Sequence, residues 1–371
     1  MDMPTTSRGH ELLGGARRFA RRPGLLARLF APGFGRILDR IDAALVTGAI
    51  HAILPDGRRR TLGARAPGFE CTVELRSWNA LVRLATNGSI GWYQAWEAGE
   101  WGSPDPVPLF ALFMANGSEL GDTGRARGPF RWAARFAHWL NRNTHGGAQK
   151  NIRAHYDLGN DFYAAWLDPT MNYSSALEVG EDGLEAGQKR KWEALAARLG
   201  DPSTVLEIGC GWGGLAEMLS IRGSAVTAIS LSDEQLAWAR ERHPGVDLRK
   251  QDYRDTAGRY DAIVSVEMVE ALGREYWPTF MDCIARNLEP GGRAAIQYIS
   301  MRDDLFEAYA KSADFIQAYI FPGGLLIRSS EFRRLAEERG LAWQDQRDFG
   351  LDYAETLKCW RERFDAAERE G

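Results

Sequence analysis

Four glycines follow a short apolar run that carries a single acid, and this stretch is the part of the sequence best suited to ligand chemistry. The run is Val205-Leu206-Glu207-Ile208, and Gly209, Gly211, Gly213 and Gly214 come next. This order predicts a buried strand, a glycine turn and a helix. Residues without a Cβ let the turn approach a ligand, and the helix that follows offers free N–H groups and the positive end of its dipole. The turn therefore suits a nucleotide-like ligand.

Strand-like and helix-like patterns alternate from Val205 onward. The predicted strands are Val205–Ile208, Ala225–Ile229, Val246–Arg249, Tyr260–Val266 and Ala294–Ile299, with amphipathic helices between them. Such alternation predicts an α/β fold with a doubly wound, mostly parallel sheet that is covered on both faces. In such a sheet, ligands lie beyond the carboxyl ends of the strands.

The first part of the chain predicts a smaller α+β domain. Ile50–Leu62 reads as two strands around the turn Pro55-Asp56-Gly57, and Phe69–Leu75 reads as a third. Further predictions concern helices: one that Ser77 caps and that runs through Leu84 to end at Asn87-Gly88, an apolar one at Leu109–Met114, and one at Phe130–Leu140. The polar stretch 141–149 is the predicted boundary, which gives an N-terminal domain over 1–145 and a second domain over 150–371.

Composition narrows the function classes. The chain has 371 residues, 26% of them charged and 44% hydrophobic, and a formal charge of −4, so nothing indicates a nucleic-acid partner. The four cysteines lie far apart and form no metal-binding spacing, so we expect no metal site and a reducing, cytoplasmic setting. No stretch approaches the roughly 20 apolar residues that cross a bilayer.

The first 36 residues are basic and amphipathic. Between Arg8 and Arg36 there are seven arginines and one acid, Glu11, interleaved with leucines and phenylalanines. Such a face predicts either a helix at the surface of an anionic membrane or a solvated helix packed on its own protein. The first alternative places the protein in the cytoplasm, peripheral to the inner membrane surface.

The acid two residues before the first glycine, in the order E-x-G-x-G-x-G, resembles the first motif of S-adenosylmethionine-dependent methyltransferases. Further blocks narrow the resemblance to the cyclopropane fatty acid synthase and mycolic acid methyltransferase family. They are His155–Tyr163, Trp166–Asp168, Met171–Ser174, Gly209–Gly214, Glu267–Glu270, Tyr319–Gly324 and Asp352–Trp360. The resemblance implies a Rossmann-like methyltransferase domain, and the N-terminal domain is similar, with weaker motif support, to the lipid-binding domain of the bacterial phospholipid enzymes.

The resemblance also implies where the cofactor S-adenosylmethionine binds. Glu207 would face its methionine end, and the glycines would face its ribose. At the next strand end the usual acid is absent, so Ser230 and Gln235 would make neutral hydrogen bonds instead, with capping and surface roles as alternatives. The implied cofactor-binding residues are Tyr173, Ser174, Glu207, Gly209, Cys210, Gly211, Ser230, Leu231 and Gln235, with Asp252 and Tyr253 near the adenine.

The implied reaction is the methylation of an isolated alkene, which is a poor nucleophile. It requires an electrophilic sulfonium, a dry site and groups that tolerate a carbocation, for which aromatic faces are suited. The candidates are Tyr298, Tyr309, Phe315, Tyr319, Phe321 and Trp360, each of which core packing also explains. A base must then remove a proton, from the new methyl group to close a cyclopropane or from a neighbouring carbon to leave a methyl-branched alkene.

In the family that base is understood to be a bicarbonate held by a cysteine, a glutamate, a histidine and a tyrosine. The resemblance carries these positions onto Ser175, Glu270, Gln297 and Tyr353, so two of the four differ from the family set and bicarbonate binding stays open. The expected catalytic residues are these four and Tyr319. Of the six histidines only His155 and His243 lie in the catalytic half, and His243 reads as part of a surface turn, which argues against an imidazole base.

The leading hypothesis is therefore methyl transfer to the double bond of an unsaturated phospholipid acyl chain at the membrane surface. The alternatives are a methyltransferase for a soluble acceptor and a cofactor- and lipid-binding relative without catalysis. The sequence does not decide between a cyclopropane and a methyl-branched or methylene product. It also leaves open the double-bond position, the head group and whether the chain forms a homodimer.

Overall fold

The structure is a computed structural model that describes residues 31–120, 158–310, 316–321 and 324–370. The chain divides into two compact units. The N-terminal unit comprises Met1–Leu140 together with Tyr309–Ile320, a segment that the sequence analysis assigned to the second domain. The C-terminal unit comprises Asn141–Ala308 and Phe321–Gly371. Each unit is described by itself below.

The N-terminal unit is built on a four-stranded sheet. Its elements, in chain order, are α1 (Ala31–Ala44), β1 (Ala49–Ile53), β2 (Arg59–Gly63), β3 (Glu70–Leu75), α2 (Asn79–Glu97), β4 (Trp101–Gly102), α3 (Val107–Ala115) and α4 (Gly117–Leu120), with a π-helical turn at Ile316–Ile320. The strand order is β2-β1-β3-β4, with β1 and β3 parallel and the other two pairs antiparallel. This confirms the three predicted strands and the apolar helix.

The helix after β3 differs from its predicted length. Gly88 has φ +60 and ψ −140, which breaks the helical backbone as the Asn87-Gly88 signal predicts. The chain then resumes helical geometry and continues to Glu97, because Ile90 and Ala95 beyond the break are buried. The predicted end at Asn87-Gly88 is therefore confirmed for the first helical segment, and the second segment, which continues to Glu97, was not predicted.

The C-terminal unit alternates strands and helices. Its elements are α5 (Asn160–Ala164), α6 (Gly183–Leu199), β5 (Thr204–Ile208), α7 (Gly214–Ile221), β6 (Ala225–Ser230), α8 (Asp233–Arg242), β7 (Asp247–Lys250), β8 (Tyr260–Val266), α9 (Trp277–Asn287), β9 (Leu288–Gln297), α10 (Asp303–Ala310), α11 (Ser329–Glu337) and α12 (Gly350–Glu370), with 3-10 turns at Tyr253–Asp255, Val269–Ala271 and Arg274–Tyr276. The last residues of α10 are grouped with the N-terminal unit.

These strands form one parallel sheet in the order β7-β6-β5-β8-β9. The central strands are apolar and almost fully buried, as expected for a sheet covered on both faces. The order reverses at β5, which lies between β6 and β8. The crevice outside the carboxyl ends of β5 and β8 is therefore the topological switch point, where such sheets bind ligands.

The predicted α/β architecture is confirmed, with β8 matching its predicted bounds and β5, β6 and β7 matching within one residue at each end. The last strand, β9, begins six residues before its predicted start, and its register against β8 shifts between Tyr260 and Ala262. The predicted basic face at 8–30, the helix Phe130–Leu140 and the boundary at 141–149 lie outside the described residues. Among the helices that the structure describes, none has the length and apolar character that a bilayer crossing requires.

Candidate active site

The glycine turn lies at the carboxyl end of β5. Gly209, Gly211 and Gly213 all have positive φ, at +83, +54 and +85, a region that glycine adopts without strain. A Cβ on Gly209 would come 3.1 Å from Cγ of Met268, whereas a Cβ on Gly211 would point into open space. The turn thus packs closely on one side and leaves the backbone at Gly211 accessible.

The turn is also tied to the neighbouring strand. The backbone N–H groups of Gly209 and Cys210 both donate to the carbonyl of Ile229 near the end of β6, at 3.0 and 3.1 Å. Cys210 is buried, and burial raises the pKa of its thiol well above the ordinary value. We therefore expect Cys210 to contribute its backbone, rather than a thiolate, to any ligand site.

Two buried polar groups near this turn have atoms without a hydrogen-bond partner among the described residues. One is Oε2 of Glu207, whose side chain is buried and whose pKa burial raises to about 8. The other is Nε2 of Gln235 on α8. Buried polar atoms are normally paired, so unpaired ones at a switch point indicate a missing polar ligand. An unpaired acceptor, an unpaired donor and the accessible backbone at Gly211 fit a zwitterionic nucleoside cofactor such as S-adenosylmethionine.

The end of β6 brings two of the predicted cofactor residues together. Oγ of Ser230 donates to Oε1 of Gln235 at 3.4 Å, and the N–H of Ser232 donates to Oγ of Ser230 at 3.2 Å. The helix cap itself is Ser232, whose Oγ accepts from the N–H of Gln235 at 3.3 Å. Capping therefore falls to Ser232, and Leu231 lies between the two serines with a partly exposed side chain.

The residues expected near the adenine have other partners in the structure. Both carboxylate oxygens of Asp252 accept from the guanidinium of Arg254, at 2.8 and 2.6 Å. The ring of Tyr253 is buried and packs edge to face against Phe280, with 5.7 Å between centroids. Burial raises the pKa of the Tyr253 hydroxyl, so it stays protonated. An adenine contact for this pair remains a prediction.

Ser174 forms part of a buried polar cluster around Lys191 on α6. Nζ of Lys191 donates to Oγ of Ser174 at 2.6 Å, to Oδ1 of Asn172 at 3.1 Å and to Oε1 of Gln188 at 2.5 Å. Burial lowers the pKa of Lys191 to about 7. When protonated, Lys191 is a nearby positive charge that favours the ionised forms of Glu267, Asp168 and Glu207.

An aromatic cluster lines the same part of the unit. It is formed by rings whose neighbouring centroids lie 5.3 to 5.7 Å apart, namely Tyr163, Trp166, Tyr173, Trp212 and Trp360. Four of the five come from the glycine turn and the segment before α6, and only Trp360 belongs to the predicted aromatic set.

The other aromatic candidates lie elsewhere or outside the described residues. Tyr298 packs against Phe332 at 4.5 Å and donates to Ser329, so it is a packing residue. Phe321 is 37% exposed, and Phe315 lies outside the described residues. Tyr309 and Tyr319 are in the segment grouped with the N-terminal unit, and the Tyr319 side chain lies outside the described part. The catalytic role of Tyr319 therefore remains a prediction.

Glu267, the first residue after β8, is the centre of the carboxylate site. Its Oε1 accepts from the backbone N–H of Ser175 and from Nε2 of Gln297, each at 2.8 Å. Its Oε2 accepts from the hydroxyl of Tyr353 at 2.9 Å. Burial raises the pKa of Glu267, while these donors and the charge of Lys191 act in the opposite direction. Three segments far apart in sequence thus converge on one carboxylate.

Glu270 lies one turn further, on the 3-10 turn Val269–Ala271. Its Oε1 accepts from the backbone N–H of Ile299, and its Oε2 is buried without a hydrogen-bond partner among the described residues. Burial, and then the nearby charge of Glu267, raise the pKa of Glu270 to about 8. The two carboxyl groups therefore differ, since Glu267 has three donors that favour its ionised form and Glu270 has one.

The structure brings three of the predicted catalytic residues together, but around an acid that the sequence analysis did not assign. Ser175 contributes its backbone N–H, because its hydroxyl donates to the carbonyl of Ala176 at 2.9 Å. Gln297 and Tyr353 contribute side chains. Glu267 was visible in the Glu267–Glu270 block as an acid directly after a predicted strand. Its position at the carboxyl end of a strand was the signal in the sequence that could have identified Glu267 as a site residue.

The predicted surface turn is present, since Pro244 and Gly245 form an exposed turn directly after His243. The side chain of His243 itself is buried, and its ring packs edge to face on Trp238 at 5.7 Å. Its Nδ1 lies 2.9 Å from Oε1 of Glu217. No group of three or more His, Cys, Asp or Glu side chains within the described ranges is arranged to hold a metal ion.

A cavity of about 1240 Å³ runs along the edge strand β9. Its wall includes Ser175, Glu267, Gln297 and Tyr353, together with Lys191. The carboxylate cluster therefore borders open space at the edge of the sheet.

Comparison with known proteins gives a consistent result. The sequence profile of the mycolic acid cyclopropane synthetase family matches residues 144–370. Tuberculostearic acid methyltransferase of Mycobacterium tuberculosis is 36% identical over 310 residues, which cover 76% of this chain and 70% of the relative. Cyclopropane-fatty-acyl-phospholipid synthase of Escherichia coli K12 is 34% identical over 301 residues, which cover 80% of this chain and 77% of the relative.

Solved structures agree with the sequence matches. The cyclopropane synthase MmaA2 from Mycobacterium tuberculosis aligns with a TM-score of 0.55 and 25% identity, over 60% of this chain and 85% of that one. The mycolic acid cyclopropane synthase CmaA1, complexed with SAH and CTAB, aligns with a TM-score of 0.55 and 25% identity, over 59% and 84% of the two chains. The glycine turn, the sheet and these matches together show that the chain belongs to the mycolic acid cyclopropane synthetase family of S-adenosylmethionine-dependent methyltransferases.

Proposed function

We propose that the chain transfers a methyl group from S-adenosylmethionine to a double bond of an unsaturated acyl chain carried by a phospholipid. The observation that supports this most is that the C-terminal unit combines three features. They are a glycine turn with unpartnered polar atoms beside it, a pair of carboxyl groups, and an aromatic cluster that Tyr353 links to one of these carboxyl groups. The two relatives are a tuberculostearic acid methyltransferase and a cyclopropane-fatty-acyl-phospholipid synthase, and both names support an acyl substrate.

The residues at the turn would bind the cofactor. When bound, S-adenosylmethionine supplies an electrophilic methyl group on a sulfonium. Glu207, with a pKa near 8, is largely neutral until a cation lies beside it, and an ammonium group would favour its ionised form. Gln235 offers its unpartnered Nε2 as a donor. Gly211 would let the backbone approach the ligand closely.

The aromatic cluster would serve the acyl chain. Burial of Trp166, Trp212 and Trp360 provides an apolar, water-poor wall, and the ring faces attract cationic character on a neighbouring carbon. Tyr173 and Tyr353 continue this wall toward the carboxyl groups, because Tyr353 contacts both Trp360 and Glu267. A cation formed at the double bond would thus lie between aromatic rings and a proton acceptor.

Membrane contact is the second part of the proposal. In the N-terminal unit, α3 has apolar side chains on all its faces, and Val107, Phe110 and Met114 are 47%, 54% and 80% exposed. Exposed apolar residues at this spacing form one helical face, and such a face suits insertion among lipid head groups. The arginines at positions 8 to 36 would add attraction to anionic lipid. We infer a lipid-binding role for residues 1–145 and a peripheral position at the cytoplasmic membrane surface.

The test is incubation of the purified chain with methyl-labelled S-adenosylmethionine and vesicles of phosphatidylethanolamine and phosphatidylglycerol with monounsaturated acyl chains. We expect label in the acyl chains, and mass spectrometry after mild acid hydrogenolysis distinguishes a cyclopropane from a methyl-branched product. Label in a soluble acceptor, with none in lipid, would contradict the proposal. Cofactor binding by calorimetry without turnover on any lipid would indicate a non-catalytic relative.

A further inference from the structure

The carboxylate of Glu267 accepts hydrogen bonds from three separate segments of the chain. The donors come from the segment before α6, from the end of β9 and from α12, through Ser175, Gln297 and Tyr353. They occupy three of the roughly four acceptor sites of a carboxylate and leave one on Oε2. This leaves a free lone pair on the carboxyl group of Glu267, a residue on the wall of the cavity.

The backbone at this position is strained. Glu267 has φ +48, a left-handed conformation that costs a residue with a Cβ about 1 kcal/mol or more. Its N–H donates to the carbonyl of Gln297 at 2.9 Å, so the conformation is fixed by the end of β9. A carboxylate kept at a costly backbone position, directly after β8 at the switch point, indicates a function rather than packing.

The same arrangement does not fit a bound bicarbonate. By the resemblance, three of the residues that would hold the bicarbonate are Ser175, Gln297 and Tyr353. In the structure, the N–H of Ser175, the amide of Gln297 and the hydroxyl of Tyr353 donate to Glu267 instead. A second anion would lose these donors and would lie beside one carboxylate and the unpartnered Oε2 of Glu270. The negative charge of the Glu267 carboxylate would repel a second anion at these donors.

We propose that the carboxylate of Glu267 is the built-in proton acceptor of the reaction and takes the place of an external anion. The inference rests on the proposed function. The π electrons of the alkene form the bond to the methyl carbon, and the pair of the broken S–C bond stays on sulfur. A C–H bond of the resulting cation then breaks, its proton goes to Oε2 of Glu267, and its electron pair forms the new C–C or C=C bond.

Glu270 supports this acceptor as a positioning residue. Because it is held protonated, it adds no second negative charge beside Glu267. Its Oε1 is fixed by the N–H of Ile299, two residues after Gln297. The pair therefore combines one carboxyl group whose three donors favour its ionised form with one that has a single donor.

The first experiment compares Glu267→Gln and Glu267→Asp with the wild type on the vesicle substrate. Glutamine keeps the shape and an acceptor oxygen but cannot take the proton, so we expect kcat to fall about 100-fold or more, with KM and the affinity for S-adenosylhomocysteine within threefold. Aspartate keeps the carboxylate, so we expect a smaller loss. Glu331→Gln is the matched control, a largely buried glutamate on α11 whose side chain pairs with arginines. Retention of kcat within threefold in Glu267→Gln would overturn the proposal.

The second experiment needs no variant and no turnover. We titrate the wild-type chain, loaded with S-adenosylhomocysteine, into 13C-labelled bicarbonate and follow the NMR linewidth, and we expect no broadening up to 10 mM bicarbonate. Broadening that formate or nitrate reverses would overturn the proposal, because it would show an anion site. If vesicles receive no label, the acyl-chain function fails, while this titration still decides whether the site is filled by Glu267.

Discussion

The hydroxyl of Tyr353 donates to Oε2 of Glu267 at 2.9 Å and thereby joins α12 to the end of β8. Eighty-six residues separate the two in sequence. The ring of Tyr353 also packs against Trp360, which lies on the same face of α12 about two turns further along, with 6.3 Å between centroids. One side chain thus connects the aromatic cluster with the carboxylate that we propose as proton acceptor.

Removal of this hydroxyl is expected to change the pH dependence of catalysis. In Tyr353→Phe the carboxylate of Glu267 loses one of its three donors, so its pKa rises and the acid limb of the kcat–pH profile moves to higher pH. We expect kcat at neutral pH to fall about tenfold. The matched control is Tyr93→Phe, which removes a tyrosine–glutamate hydrogen bond to Glu97 in the N-terminal unit. An unmoved acid limb in Tyr353→Phe would contradict the contact.

Glu270 makes a distinct prediction for stability. Its pKa is about 8 in the folded chain against an ordinary value of 4.5, so the folded state binds more protons between these pH values. The stability that the neutral group contributes is complete below pH 4.5 and is lost as the pH rises toward 8, by about 1.4 kcal/mol per pH unit. In Glu270→Gln this dependence is absent. Urea unfolding at pH 5, 6 and 7 should therefore show that the free energy of unfolding of the variant rises relative to that of the wild type as the pH increases. If the two free energies change with pH in parallel, the pKa of Glu270 is not raised.

A glycine exchange separates cofactor binding from backbone strain. Gly211→Ala places a Cβ in the open space over the turn at φ +54, so we expect at least a tenfold loss of S-adenosylhomocysteine affinity in calorimetry. Gly340→Ala is the control, since that glycine has φ +77 with open space around its Cβ and lies after α11. Both variants should lose about 1 kcal/mol of stability. Equal affinities would show that the turn does not contact the cofactor.

The exposed face of α3 can be tested by sedimentation with vesicles. Replacement of Phe110 and Met114 by serine removes most of the apolar surface that α3 exposes, and we expect about a tenfold weaker association with anionic vesicles. Ile221→Ser is the control, since Ile221 is 79% exposed at the end of α7 in the C-terminal unit. Cofactor affinity should not change in either case. Unchanged sedimentation of the serine variant would exclude α3 as the lipid-binding face.

Much of the fold followed from local patterns. The strand Tyr260–Val266 was predicted exactly, because its apolar run is bounded by polar residues at both ends. The glycine turn was predicted because glycine adopts positive φ without strain, as Gly209, Gly211 and Gly213 all do. The continuation of α2 beyond Gly88 was missed, because it depends on tertiary burial of Ile90 and Ala95.

The candidate site was less predictable, since its chemistry arises from contacts over long sequence distances. Glu267 and Glu270 look alike in the sequence, and only the donors from residues 175, 297 and 353 distinguish them. Of the rings in the aromatic cluster, only Trp360 was among the predicted candidates. The cluster members Tyr163, Trp166 and Tyr173 come from the segment before α6. The motif in that segment indicated the protein family but did not show how these rings pack together.

The left-handed backbone at position 267 has an evolutionary consequence. Glycine adopts this conformation freely, so an exchange of glutamate for glycine there would leave the main chain in place and would relieve its strain. Glutamate and glycine codons differ by a single nucleotide. A related protein with glutamate at this position would therefore supply its own proton acceptor, whereas one with glycine would need an anion from solution. A single mutation would convert one kind of site into the other.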